Sequence, residues 1–117
     1  MKSSAPPSPI TTHVLDTAKG CPARNVGVTL SRRGPRVEDW QELSRGQTND
    51  DGRVTDLLTR DEFAAGVYKI SFDIGPYHGG NGFFPTVDIT FEVKNANQHH
   101  HVPLLISPFG YSTYRGS

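Results

Sequence analysis

Between Ile10 and Arg115 the chain is a succession of short runs in which apolar and polar residues alternate, separated by clusters of Gly, Pro, Asn and Asp. That spacing predicts an all-β sandwich or barrel. Residues 10–16 read as a first strand, and Lys19-Gly20-Cys21-Pro22 turns the chain into residues 26–30, where Val26, Val28 and Leu30 share a face that one side of a sheet would bury. Residues 40–44 predict another strand. Thr48-Asn49-Asp50-Asp51-Gly52 is a turn signal leading into a strand over 53–57. Residues 67–74 put Tyr68, Ile70, Phe72 and Ile74 on one side, and residues 86–93 do the same for Val87, Ile89, Phe91 and Val93, so these two strands should anchor the core. The loop between them, 75–82, is rich in glycine but lacks a phosphate-cradling spacing. Residues 101–106 and 111–115 bring the total to about eight strands, whose natural packing is an antiparallel two-sheet β-sandwich. One short helix is predicted over 59–66, where Thr59 offers a cap, Asp61 and Glu62 fill the first turn and Gly66 closes it.

Composition narrows this picture more than it enlarges it. A length of 117 residues suits one domain, which the pattern assigns to residues 10–117. Residues 1–9, rich in Pro and Ser and without hydrophobic period, read as a flexible tail. Twelve Lys and Arg balance twelve Asp and Glu, so there is no electrostatic footprint for nucleic acid or anionic lipid. There is no apolar run of about 18 residues and no apolar segment behind Met1-Lys2 to act as a signal, and the ending is not a peroxisomal address. The expectation is a cytoplasmic protein. Cys21, the single cysteine, suits a reducing compartment and reads as a loop residue, with no helix start beside it to lower its pKa.

Five histidines carry the candidate chemistry. In a strand, His99 and His101 would share one face and His100 the other. Such a pair can move protons or bind a metal, although zinc needs three or four ligands and the remaining histidines are His13 and His78. Each candidate also has a plain structural reading: His99 and His100 as solvated residues ending a polar loop, His13 as a hydrogen-bonded or edge residue of the first strand, Arg53 as a solvated cation paired with Asp51 or Asp56. A hydrolytic site asks for a group titrating near neutrality, a cation beside developing oxyanion charge, and polar donors that orient the substrate. The inventory of histidines and Arg53 supplies all three.

Three blocks of residues are similar to the transthyretin-like family, in its 5-hydroxyisourate hydrolase branch, over about residues 10–117. They are Thr12-His13-Val14-Leu15-Asp16 with Gly20 and Pro22; Thr48-Asn49 with Gly52-Arg53; and the long block from His99 to Ser117, ending Tyr114-Arg115-Gly116-Ser117. Phe83-Phe84-Pro85 and Trp40 also fit. The resemblance implies a β-sandwich assembled as a homotetramer with active sites where subunits meet. It implies hydrolysis of 5-hydroxyisourate to 2-oxo-4-hydroxy-4-carboxy-5-ureidoimidazoline in urate breakdown, with no cofactor and no metal. By the same resemblance His13, Arg53, His101 and Ser117 are catalytic, while His99, Tyr114, Arg115 and Gly116 support the site. His100 replaces the tyrosine expected between the two histidines. The alternative is a transthyretin-type small-molecule carrier, but carriers lack these histidines and the Tyr-Arg-Gly-Ser ending. A zinc-dependent hydrolase using His13, His99 and His101 is the third reading.

Overall fold

Alternation is borne out first in β1 (Ile10–Asp16), where Ile10, Thr12, Val14 and Asp16 turn to the interior and leave His13 and Leu15 half-buried on the other face. A computed structural model describes residues 8–117. Its further strands are β2 (Cys21–Pro22), β3 (Gly27–Arg33), β4 (Trp40–Gln47), β5 (Arg53–Val54), β6 (Gly66–Asp73), β7 (Thr86–Val93), β8 (His100–Ser107) and β9 (Gly110–Thr113). They form two sheets, β2-β1-β8-β9 with β5 also paired to β1, and β4-β3-β6-β7. The expected β-sandwich is therefore present. All pairings are antiparallel except β1 with β8, which run parallel with Thr11 beside His101 and His13 beside Pro103.

The core lies between the sheets. Val14, Val102, Leu104 and Ile106 from one meet Val28, Leu30, Tyr68, Ile70, Phe72 and Val87 from the other, all buried. At about 1.5–3 kcal/mol for each large apolar side chain removed from water, this layer is the main source of stability. Tyr68 reaches the core because its hydroxyl is satisfied, donating to Ala64 O at 2.8 Å. Asp16, also buried, accepts the Tyr77 hydroxyl at 2.7 Å and the backbone N–H groups of Ala18 and Lys19 at 2.9 Å. Burial works to raise its pKa, and these donors outweigh burial and hold it below the usual carboxylate value.

Four expectations need adjustment. The helix over 59–66 is a single 3-10 turn, Arg60–Glu62, capped by extended residues on both sides; the Thr59 hydroxyl bonds the Glu62 carboxylate at 3.1 Å instead of a backbone N–H. With no apolar face to bury and Phe63 pulled against the core, a longer helix has nothing to stabilise it. The strand at 53–57 stops at Val54: Leu57 O accepts the Ser44 hydroxyl and Leu58 N donates to Ser8 Oγ at 3.1 Å, so side chains replace the ladder there. The last strand ends at Thr113, two residues early. Pro103 turns its carbonyl toward β9, accepting the Thr113 hydroxyl at 2.7 Å, but has no N–H to offer, and pairing resumes only where Gly116 N donates to His101 O at 2.9 Å. Of the expected tail, residues 1–7 lie outside the described residues, whereas Ser8 and Pro9 are buried, with Pro9 O accepting His100 N at 2.8 Å.

The turn before β5 decides where Arg53 stands. Asn49 Oδ1 accepts the N–H groups of Asp51 and Arg53, and Val14 N donates to Gly52 O at 2.7 Å, which docks the turn on β1. Gly52 has φ +74°, and a Cβ there would sit 2.4 Å from Val14 O. Gly52→Ala should therefore cost about 2 kcal/mol or more, from backbone strain plus the clash, measured as a lowered urea midpoint with unchanged m-value; an unaltered midpoint would show that the turn is not held this way.

Candidate active site

Three chain segments meet on the outer face of the five-stranded sheet. β1 contributes Thr11 and His13; β5 sets Arg53 directly opposite His13 in antiparallel register; β8 sets His101 beside Thr11 in parallel register. Cross-strand neighbours of this kind have Cβ atoms about 4.5–5.5 Å apart, so residues distant in sequence become one cluster. The Thr11 hydroxyl lies 2.8 Å from His99 Nε2 and 2.8 Å from His101 Nδ1, joining the two imidazoles, whose centroids are 6.2 Å apart. A cleft of about 370 Å³ opens here, lined by Thr11, Arg53, Thr55, His99, His101 and Ser117. His13 borders it from beside Arg53 rather than lining it.

Gly116 closes one side of the site. A Cβ at this position would come within 2.5 Å of His101 Cδ2 and 3.2 Å of its Cγ, so the imidazole packs directly on the glycine backbone. Arg115 stands outside the cleft with its guanidinium donating to Gln98 Oε1 at 3.1 Å, which ties the terminal segment to the loop before β8. Tyr114 is exposed and lines a separate groove with Ile89 and Phe91, so the structure does not bring it to the cleft. His100 faces away from His99 and His101, as alternation requires. It is not the solvated loop residue that one reading allowed: it is buried, its ring edge-on to Phe63 at 5.8 Å. Thr11 and Thr55 are the cleft residues that the sequence did not single out, since a threonine in a β run carries no distinguishing signal. Among the described residues no group of three or more His, Cys, Asp and Glu is placed to hold a metal ion, and His13, His99 and His101 do not form one.

Residues 10–116 match the model of the HIUase/Transthyretin family. The chain belongs to that family.

Among its relatives, the 5-hydroxyisourate hydrolase of Mus musculus is 46% identical over 113 residues, covering 94% of this chain and 96% of that protein. The 5-hydroxyisourate hydrolase of Caulobacter vibrioides is 45% identical over 117 residues, covering 94% and 99%. The crystal structure of sea bream transthyretin in complex with thyroxine superposes with a TM-score of 0.86 at 30% identity, covering 92% of this chain and 94% of that one. Within the HIUase/Transthyretin family, then, the chain has relatives named as 5-hydroxyisourate hydrolases and a structural neighbour solved in complex with thyroxine.

Electrostatics on the outer face favour neutral imidazoles. For His13, burial is the first cause holding its pKa below 6.5 and the Arg53 charge the second; a hydrogen bond to the Asp51 backbone and the Asp51 carboxylate pull the other way. For His101, burial again leads, followed by the charges of Arg53, His99 and His13, against an upward pull from the Thr11 backbone. An imidazole with a lowered folded-state pKa binds fewer protons folded than unfolded. Stability therefore rises with pH between the lowered value and the unfolded 6.5, and is lost as pH falls through that window. The expected outcome is NMR titration midpoints below 6.5 for both His13 and His101, with a urea midpoint that drops on acidification through the same range; midpoints above 6.5 would mean that a carboxylate, not burial and the Arg53 charge, governs the site.

Proposed function

We propose that the outer face of the five-stranded sheet hydrolyses 5-hydroxyisourate, adding water to the cyclic amide and opening the ring. The observation that carries this reading is the near full-length similarity to enzymes of that name, together with two lowered-pKa imidazoles held beside a fixed guanidinium. One neutral imidazole of the His13 and His101 pair takes a proton from the attacking water, and the other delivers one to the leaving nitrogen. Arg53 stabilises the oxyanion that forms as water adds to the carbonyl. Ser117 orients substrate or water from the opposite wall. His99 supports His101, Gly116 leaves room for its ring, and Tyr114 and Arg115 hold the terminal segment. No cofactor or metal is required by this chemistry, and the product is 2-oxo-4-hydroxy-4-carboxy-5-ureidoimidazoline.

The working unit in this proposal is a homotetramer. The reactive cluster lies on an open outer face that continues into half-buried Leu15 and Leu105, and covering that face with a second subunit would close the cleft and strip water from it. Exposed edge strands β7 and β9 are the surfaces through which copies of the chain would pair. No helix among the described residues is long and apolar enough to cross a membrane. The exposed free thiol of Cys21 supports a reducing, cytoplasmic setting. A carrier reading draws support from the thyroxine complex of sea bream transthyretin, and it assigns no task to the histidines around Arg53.

His101→Asn and Arg53→Ala should each slow turnover of freshly generated 5-hydroxyisourate by about 100-fold or more while leaving the circular dichroism spectrum and oligomer size unchanged. Removal of Ser117 should slow it in the same direction. Full activity in the His101 and Arg53 variants would transfer the chemistry elsewhere on the protein, whereas a wild type that leaves the substrate at its spontaneous rate would favour the carrier reading.

A further inference from the structure

Thr11 holds one hydroxyl between two imidazoles, 2.8 Å from His99 Nε2 and 2.8 Å from His101 Nδ1. A hydroxyl carries a single proton but can accept more than one. It cannot donate to both rings at once, so at least one imidazole must present an N–H to Oγ1. If Thr11 donates to His101 Nδ1, the neutral His101 ring carries its proton on Nε2 and His99 must donate from its own Nε2. If Thr11 donates to His99 instead, His101 carries its proton on Nδ1 and its Nε2 is left as a free base. The hydroxyl thus makes the tautomer of one ring a condition on the other.

The surroundings leave Thr11 little freedom. The residue is buried, with 7% exposure, and its backbone lies within the parallel ladder that β1 makes with β8. His101 is backed on the edge opposite Nδ1 by Gly116, where an added Cβ would lie 2.5 Å from Cδ2, so the ring is held with Nδ1 toward the Thr11 hydroxyl. The titratable and charged groups facing His101 are Arg53 from β5, His13 from β1 and His99 from the segment preceding β8, and each acts to keep the ring neutral. A neutral imidazole is an acid or a base according to its tautomer, so in this site the tautomer decides the role.

We infer that Thr11 is a positioning residue that couples the tautomers of His99 and His101 through its hydroxyl and thereby sets which chemistry His101 Nε2 performs. The inference deepens the hydrolase reading and rests on it for its catalytic consequence, while the coupling itself is a property of the three side chains. His99 then has a task, as the ring that supplies the complementary tautomer, without touching substrate.

The test uses the full-length protein labelled with ¹⁵N-histidine and compares wild type with Thr11→Val, which keeps the shape and removes the hydroxyl, and Thr11→Ser, which restores it. Two-bond ¹H–¹⁵N correlation spectra report the tautomer of each ring. In wild type and Thr11→Ser, His101 should populate one tautomer, and its nitrogen shifts should change when His99 is replaced by Gln. In Thr11→Val, His101 should become a mixture of tautomers that no longer follows His99. In the hydroxyisourate assay Thr11→Val should lose about tenfold or more in kcat with KM changed by less than about twofold and a displaced pH profile, and Thr11→Ser should recover most of it. Unchanged His101 tautomer and titration in a folded Thr11→Val protein overturns the inference. Tautomer coupling present in a wild-type protein that does not accelerate hydroxyisourate loss would instead overturn the functional reading and leave the coupling standing.

Discussion

Because β1 and β8 run parallel, residues at matched positions stand side by side from Ile10 and His100 to Asp16 and Ile106, and everything else about the site depends on this one register. A slip of a single residue would turn His101 inward and His100 outward, since side chains alternate along a strand. Burial makes such a slip costly: Val102, Leu104 and Ile106 would all leave the core together. The hydrophobic layer between the sheets therefore fixes where Thr11, His13 and His101 stand on the opposite face. Arg53 joins them through β5, which is only two residues long and could not hold its place without the Asn49 and Gly52 contacts that clamp the preceding turn to β1.

Two glycines and a proline do related work. Gly52 lets a backbone approach β1 closely enough to put a guanidinium beside an imidazole, and Gly116 lets the chain lie flat against the His101 ring. Pro103, by withholding a backbone donor, interrupts β9 pairing and releases residues 114–115, so the chain can return at Gly116 and carry Ser117 to the cleft. Charge is arranged to the same end. Partial burial, seconded by the Arg53 cation, keeps two imidazoles neutral at physiological pH, the form that can either take or give a proton in hydrolysis.

Much of the fold was legible in the sequence because one face of each long strand is buried, and period-two alternation records that directly. The bounds of β1 and β7 coincide with their apolar runs, and the buried faces of β3, β6 and β7 are the ones the pattern assigns. Features set by partners rather than by local pattern were not legible. The short 3-10 turn at Arg60–Glu62, the early end of β5, the break opposite Pro103 and the burial of Ser8 and Pro9 all depend on contacts made across the fold. The parallel pairing is of the same kind. His13, Arg53, His99 and His101 stood out as chemistry-bearing residue types, and resemblance to a family added Ser117 and suggested a common site, but nothing local in the chain joins strand one to strand eight. Thr11 was hidden for a different reason: a threonine in a β run is ordinary, and its importance appears only when two imidazoles are found on its hydroxyl. Tyr114 marks the converse case, a residue within a distinctive ending whose side chain turns to another groove.

The central claim is that this outer face, without an added metal or cofactor, opens the hydroxyisourate ring. The most direct measurement generates 5-hydroxyisourate in situ from urate with urate oxidase, adds the purified wild-type protein in the presence of a strong chelator, and follows loss of the hydroxyisourate absorbance. The account predicts decay accelerated in proportion to protein concentration and insensitive to the chelator. Decay at the spontaneous rate at every protein concentration would contradict it.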